Sequence, residues 1–209
     1  MKEKGFTLIE LLVVIAIIGT LAAIISPNAF KAIEKARMAK TISDIKAIKT
    51  AMLLYYADVG EWPQNQYLLD DSNSLMENIE NKEGWDGPYL EHTGKSPLVR
   101  ESVQGMAHPG YYYIWGRHHD SSWCYFAFNL DDDPTTTYSG APAGCEVTDG
   151  ISIALYGIRE QEALKLDETF DRDAQTGYHG RLNVIGSTYW LISYMVGHTG
   201  IEGGMGAGY

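Results

Sequence analysis

The chain has 209 residues, 45% hydrophobic and 21% charged, which is ordinary globular composition with one apolar segment attached. Its formal net charge of −11 is unevenly spread: residues 31–50 carry a net +4, whereas residues 51–209 hold 8 basic and 23 acidic groups, a net −15. An acidic C-terminal body excludes nucleic acid as its partner; with a basic stem it suits contact between copies, unless the basic groups are simply the stem's solvated face.

In chain order, Met1–Gly5 is a short polar head containing two lysines, and the apolar run "FTLIELLVVIAIIGTLAAII" follows from Phe6 to Ile25. Twenty residues as a helix reach about 30 Å, the hydrocarbon thickness of a bilayer. Glu10 is the one charge in that run. A carboxylate there either snorkels to the membrane edge or waits for a partner cation. The run passes Ala22-Ala23 and merges into a further helical stretch, so it is expected to be retained rather than removed as a secretory signal.

From Phe30 onward, apolar residues at Ile33, Ala36, Ala39, Ile42, Ile45, Ile48, Met52 and Tyr55 recur in steps of three and four, the helical period. Gly60 and Pro63 stop the pattern. One helix is therefore expected from Phe6 to Tyr56, roughly 75 Å long, its second half packed along one stripe on the head. Pro27 lacks the donor to Ala23, and with Gly19 two turns earlier it predicts a kink or an unwound stretch between them.

Past Pro63 the pattern changes. "NQYLLDDSNSLMENIENK" reads as a short helix or irregular segment, and "GWDGPYLEHTGKSP" as a loop. Aromatic and β-branched runs at 111–117, 123–130, 151–158 and 188–196 predict strands; 160–170 predicts a helix; the tail "GHTGIEGGMGAGY" is too Gly-rich to pack. The architecture is α+β, a long N-terminal helix on an antiparallel β-sheet head. The expected divisions are a leader at 1–5, a transmembrane and stem helix at 6–56, and a head at 57–209.

"KGFTLIELLVVIAIIGTLAAIISP" resembles the N-terminal signature of prepilins and pseudopilins of the type IV filament superfamily. Gly5 precedes Phe6, Glu10 is the fifth residue after Gly5, and Pro27 sits at the spacing these subunits show. "GWDGPYLE" further resembles the loop after the stem helix in major pseudopilins of type II secretion. The resemblance implies a non-enzymatic subunit of a helical filament of identical copies. A prepilin peptidase would cut between Gly5 and Phe6 and methylate the new Phe6 amine. Inner-membrane assembly machinery would then move the subunit from the inner membrane into a periplasmic or cell-surface filament. There Glu10 would face the Phe6 amine of a neighbour. The alternative is a membrane-anchored extracytoplasmic binding domain or enzyme that does not polymerise, but a simple anchor gains nothing from an intramembrane Glu. Counting basic residues, two before the run and four soon after it, would place the head in the cytoplasm; dedicated leader processing and the two cysteines argue for export.

In an exported domain Cys124 and Cys145 are expected to pair. No metal site and no cofactor are expected, with calcium as the alternative at Asp131-Asp132-Asp133 or at Asp171, Asp173 and Gln175. Asp131-Asp132-Asp133 before Pro134 has the pattern of a solvated turn rather than a calcium loop, and in Asp171, Asp173 and Gln175 the Gly comes one place late for an EF-hand. His108, His118 and His119 lie in turn-like sequence without a companion cluster.

Overall fold

A computed structural model describes residues 6–69, 73–92, 94–99, 110–115, 150–171, 182–186 and 190–198. Helix α1 spans Leu8–Val59, 52 residues or about 78 Å. It starts where Thr7, in an extended conformation, supplies an N-cap, and it stops where Gly60 takes the left-handed φ of 78° and donates its N–H to the Tyr56 carbonyl at 2.9 Å. The helix runs without interruption through Gly19 and Pro27. The expected unwinding is thus absent from the isolated subunit: a proline withdraws one donor, and the flanking turns keep theirs.

The sheet has five antiparallel strands in the order β1-β2-β3-β5-β4, with β1 Gln66–Tyr67, β2 Tyr112–Trp115, β3 Gly150–Ile158, β4 Leu182–Gly186 and β5 Trp190–His198. Between β3 and β4 lies α2, Glu160–Phe170. Strands at 112–115, 150–158 and 190–198 and the helix at 160–170 match the sequence pattern; the expected strand at 123–130 lies outside the described residues. Two elements escaped that pattern. β1 is two residues long inside the segment expected to be helical or irregular, and β4 is a five-residue run, Leu182–Gly186, in which Leu182 and Val184 are buried.

Period-2 alternation aims one face of the sheet at the helices. Facing pairs Ile114↔Ile153, Tyr112↔Leu155, Ile153↔Tyr194, Leu155↔Ile192 and Val184↔Ile192 form a continuous apolar layer. Ile45, Ile48, Met52 and Tyr55 of α1, and Ala163 and Leu166 of α2, belong to the same core. Burying those four α1 side chains contributes on the order of 6–12 kcal/mol before conformational entropy is charged against it. Gly157, at φ 82°, sits at the register shift between Tyr156 and Ile158, a backbone state that suits Gly.

The head covers less of α1 than the sequence stripe implies. Burial begins at Met38 and Thr41, whereas Ile33, Ala36 and Ala39 are exposed. About 30 residues of α1, Leu8 to Arg37, are therefore left exposed, roughly 45 Å of helix that the head approaches through Arg159 at Glu34.

Candidate assembly surface

At the N-terminal tip of this exposed helix, Glu10 occupies the third helical position after Thr7. The Thr7 backbone N–H donates to Glu10 Oε2 at 2.8 Å, the Thr7 hydroxyl donates to the same oxygen at 2.6 Å, and the Glu10 N–H returns to Thr7 Oγ1 at 3.4 Å. This is a reciprocal capping box, which satisfies donors at a helix N-terminus that no turn of the helix can reach. Sequence reasoning missed Thr7, although T-x-x-E before an apolar run is the signal for it. The free subunit thus gives Glu10 neutral donors from its own chain. Around it the run is bare: Phe6 is 82% and Leu8 81% exposed, and from Leu11 to Ile25 the large apolar side chains remain 44–68% exposed. The segment is long and apolar enough to cross a membrane.

At the other end of α1 the "GWDGPYLE" stretch is a docked loop. The Trp85 indole N–H donates to the Ser74 carbonyl at 3.1 Å and the Tyr89 N–H to the Leu75 carbonyl at 2.8 Å. The Tyr89 ring meets Tyr55 of α1 and Trp85 edge-on, at 5.7 and 5.6 Å between centroids. Its phenol oxygen accepts the Asp86 N–H at 2.9 Å. Burial, aided by the Asp58 carboxylate and opposed by that Asp86 N–H, raises the Tyr89 pKa. Gly84 has φ 84°, and a Cβ there would lie 2.3 Å from the Asp58 carbonyl oxygen. The loop is thereby pressed onto the last turn of α1.

Polar pairs fix the head to the stem. The Thr41 and Ser96 hydroxyls bond at 2.9 Å where both are buried, and Lys49 Nζ donates to the Tyr194 hydroxyl at 3.1 Å. Tyr112 donates to Asp44 Oδ2 at 3.2 Å; burial first, and the Asp44 charge second, push its phenol well above the usual range. Arg159, at the N-cap of α2, binds Glu162 and reaches Glu34 of α1 at 3.9 Å.

Of the sequence-predicted site residues, Phe6 and Glu10 lie at the exposed tip and Pro27 lies within continuous helix. Gly5, Cys124, Cys145, Asp131–Asp133, Asp173, Gln175, His108, His118, His119 and the tail from residue 199 onward lie outside the described residues, whereas Gly197 and His198, expected to belong to that unpacked tail, pair with Ile151 and Gly150 at the end of β5. Asp171 accepts the Leu182 N–H, a tie between α2 and β4. Among the described residues no group of three or more His, Cys, Asp or Glu is placed to hold a metal ion.

Comparison with known proteins agrees with this geometry. A family model described as the prokaryotic N-terminal methylation motif matches residues 1–26, and one described as PilW, C-terminal, matches residues 32–101. The chain is 35% identical to type II secretion system core protein G of Aeromonas hydrophila over 46% of this chain and 68% of that protein. It is 45% identical to the core protein G of Escherichia coli over 36% of this chain and 50% of that protein. It is 31% identical to a fimbrial protein of Neisseria meningitidis over 57% of this chain and 69% of that protein. No solved structure matches. The bare N-terminal helix, the methylation motif and these relatives together show that the chain belongs to the type IV filament superfamily of pilins and pseudopilins, as a structural and non-catalytic subunit.

Proposed function

We propose that the precursor is held in the inner membrane by the apolar half of α1 and divides into a leader (1–5), a membrane and stem helix (6–56) and an exported head (57–209). A prepilin peptidase cuts between Gly5 and Phe6 and methylates the Phe6 amine, and assembly machinery then draws the subunit into a helical filament of its own copies. The observation that carries this proposal is the Thr7–Glu10 arrangement at the tip of a bare apolar helix. A freed α-amine has a pKa near ~8 and is cationic at neutral pH. A cationic donor outcompetes the neutral Thr7 hydroxyl for the same carboxylate, most of all where water is excluded. Glu10 then exchanges an intrachain cap for the Phe6 amine of a neighbour, and that pairing sets the register between copies. Pro27 leaves one carbonyl of the helix without its usual donor, which makes the Gly19–Pro27 stretch the place for α1 to unwind on assembly.

Between the two kinds of filament, the docked GWDGPYLE loop and the core protein G relatives favour a type II secretion pseudopilus. A surface pilus is the second proposal, favoured by the larger share of the chain matched by the fimbrial relative. Fractionation tests the assembly step. Glu10→Val should stay in the membrane pool, cut at Gly5, and be missing from sheared filaments; wild-type filament yield from that variant would refute the exchange. Deleting the gene separates the two kinds: a pseudopilus loses protein release to the medium, whereas a pilus loses sheared surface fibres alone.

A further inference from the structure

We propose that the basic segment of α1 just past the apolar run binds anionic phospholipid headgroups while the subunit waits in the membrane. This inference rests on the membrane-held precursor proposed above. Between the end of the apolar run at Ile25 and the start of burial at Met38 lie 12 residues, about 18 Å of helix in which every described side chain is exposed. The segment holds Lys31, Lys35 and Arg37 against one acid, Glu34. That acid is already met by Arg159 of the head at 3.9 Å. Among the described residues no hydrogen bond or ion pair engages the side chains of Lys31, Lys35 or Arg37. Higher up the stem the cations are used within the chain: Lys40 binds Asp44, and Lys49 donates to the Tyr194 hydroxyl at 3.1 Å.

The two lysines stand at the level of a headgroup layer. A bilayer adds roughly 5–8 Å of headgroup to each side of its hydrocarbon core. Lys31 and Lys35 are 6 and 10 residues past Ile25, about 9 and 15 Å along the helix axis. Four residues apart, they share one side of the helix. Side chains of a helix lean toward its N-terminus, which here is the membrane end, so the long lysine stems bend back toward the lipid. Lys31 thereby reaches the phosphates, and Lys35 stays within about one Debye length of them, roughly 8 Å at physiological salt. The Lys46 side chain also has no partner among the described residues, but it stands about 32 Å past Ile25, far outside that range.

Charge complementarity selects anionic lipid over neutral lipid. Residues 51–209 carry a net −15, so the head offers an anionic surface only repulsion. Attraction is confined to the lower stem, and the two effects together hold the stem at the bilayer and stand the head off from it. Basic residues on an exported flank oppose translocation, and an attraction on the exported side offsets that cost. Entry into a filament strips these lysines from the headgroups. The anionic content of the bilayer therefore sets how firmly the waiting subunit is retained.

Spin-labelled lipids test the contact with the full chain in phosphatidylcholine vesicles. A trace of labelled phosphatidylglycerol or labelled phosphatidylcholine is added, and electron paramagnetic resonance reads the share of each label held at the protein. One lysine near an anionic surface favours it about fivefold. Wild type should hold the phosphatidylglycerol label about threefold or more above the variant Lys31→Gln with Lys35→Gln, and ~1 M salt should remove the difference, because the Debye length there is about 3 Å. Lys31→Arg with Lys35→Arg should match wild type, and so should Lys46→Gln. Comparison between variants cancels the contribution of Lys2 and Lys4, which precede the apolar run. Lys31 and Lys35 are exposed, so helix content by far-UV circular dichroism should be unchanged. An equal preference in wild type and the Gln pair, or an equal loss from Lys46→Gln, overturns the lipid contact and leaves the membrane-held precursor standing. A chain that does not float with the vesicles in a sucrose gradient overturns both.

Discussion

Gly84→Ala probes the joint between the loop and the stem. Two costs add at this position. The φ of 84° is left-handed, which costs an L-residue roughly 1–2 kcal/mol. The new Cβ would also lie 2.3 Å from the Asp58 carbonyl oxygen and 3.3 Å from its carbon, and both are backbone atoms of the final α1 turn that no rotamer change can move. Overpacking of this kind costs about 1–3 kcal/mol, giving a total of about 2–5 kcal/mol. Gly60→Ala is the matched control: its φ is 78°, but nothing lies within 4 Å of the added Cβ. It should cost only the backbone term. For a domain of this size each kcal/mol shifts the melting temperature by about 2–4 °C, so Gly84→Ala should melt roughly 5–15 °C below wild type and Gly60→Ala only a few degrees below. The assay is thermal melting of the detergent-solubilised full chain followed by near-UV circular dichroism, where Trp85, Tyr55 and Tyr89 report on the joint directly. Equal shifts for the two variants would refute the docked loop, because both sites share the left-handed φ and only the Cβ at Gly84 would meet the Asp58 backbone.

Tyr112 predicts alkaline instability. Burial raises its folded pKa above the unfolded value of about 10, so above that pH the unfolded chain releases a proton that the folded chain retains. Stability should therefore fall by up to about 1.4 kcal/mol per pH unit per such group above pH ~10, with smaller shares from Tyr113 and Tyr89, whose pKa values are also raised. Tyr112→Phe should flatten the slope in urea titrations between pH 9 and 11, and an unchanged slope would remove Tyr112 from the account. Thiol labelling of denatured, unreduced protein should find no free cysteine, since a Cys124–Cys145 bond would close a loop of about 20 residues and contribute on the order of 3 kcal/mol; full labelling of both would count against export. Gly5→Val should leave the leader attached, because a branched side chain crowds the cut site, and a mature protein still beginning at Phe6 would contradict that.

The parts of the fold that were legible in the sequence are those whose signal is local. The helix at 160–170 and the strands at 112–115, 150–158 and 190–198 carry their period or their β-branched composition within one run. The extent of the stem helix was legible too, since it ends at Val59, three residues beyond the expected Tyr56, with Gly60 as its cap. β1 and β4 were not, because their strand character comes from a partner: Gln66–Tyr67 is held by Tyr113 and Ile114, and Leu182–Gly186 by β5. The apolar period also continues through Ile33, Ala36 and Ala39, all of them exposed, although burial along α1 starts only at Met38. A helix pattern records that a face wants cover; it does not record whether the same chain or another copy supplies it. Glu10 shows the same division. Its oddness in an apolar run was plain, but its dual use depends on geometry: a cap within the subunit, and in the proposed filament a counter-charge for Phe6.

The central claim is that this chain is a processed, polymerising subunit. Mass spectrometry of the N-terminal peptide from sheared filaments tests it most directly. The account predicts a peptide beginning at Phe6 and carrying a methyl group on its amine. Filaments built from chains that begin at Met1, or a chain cut at Gly5 that never leaves the membrane fraction, would contradict it.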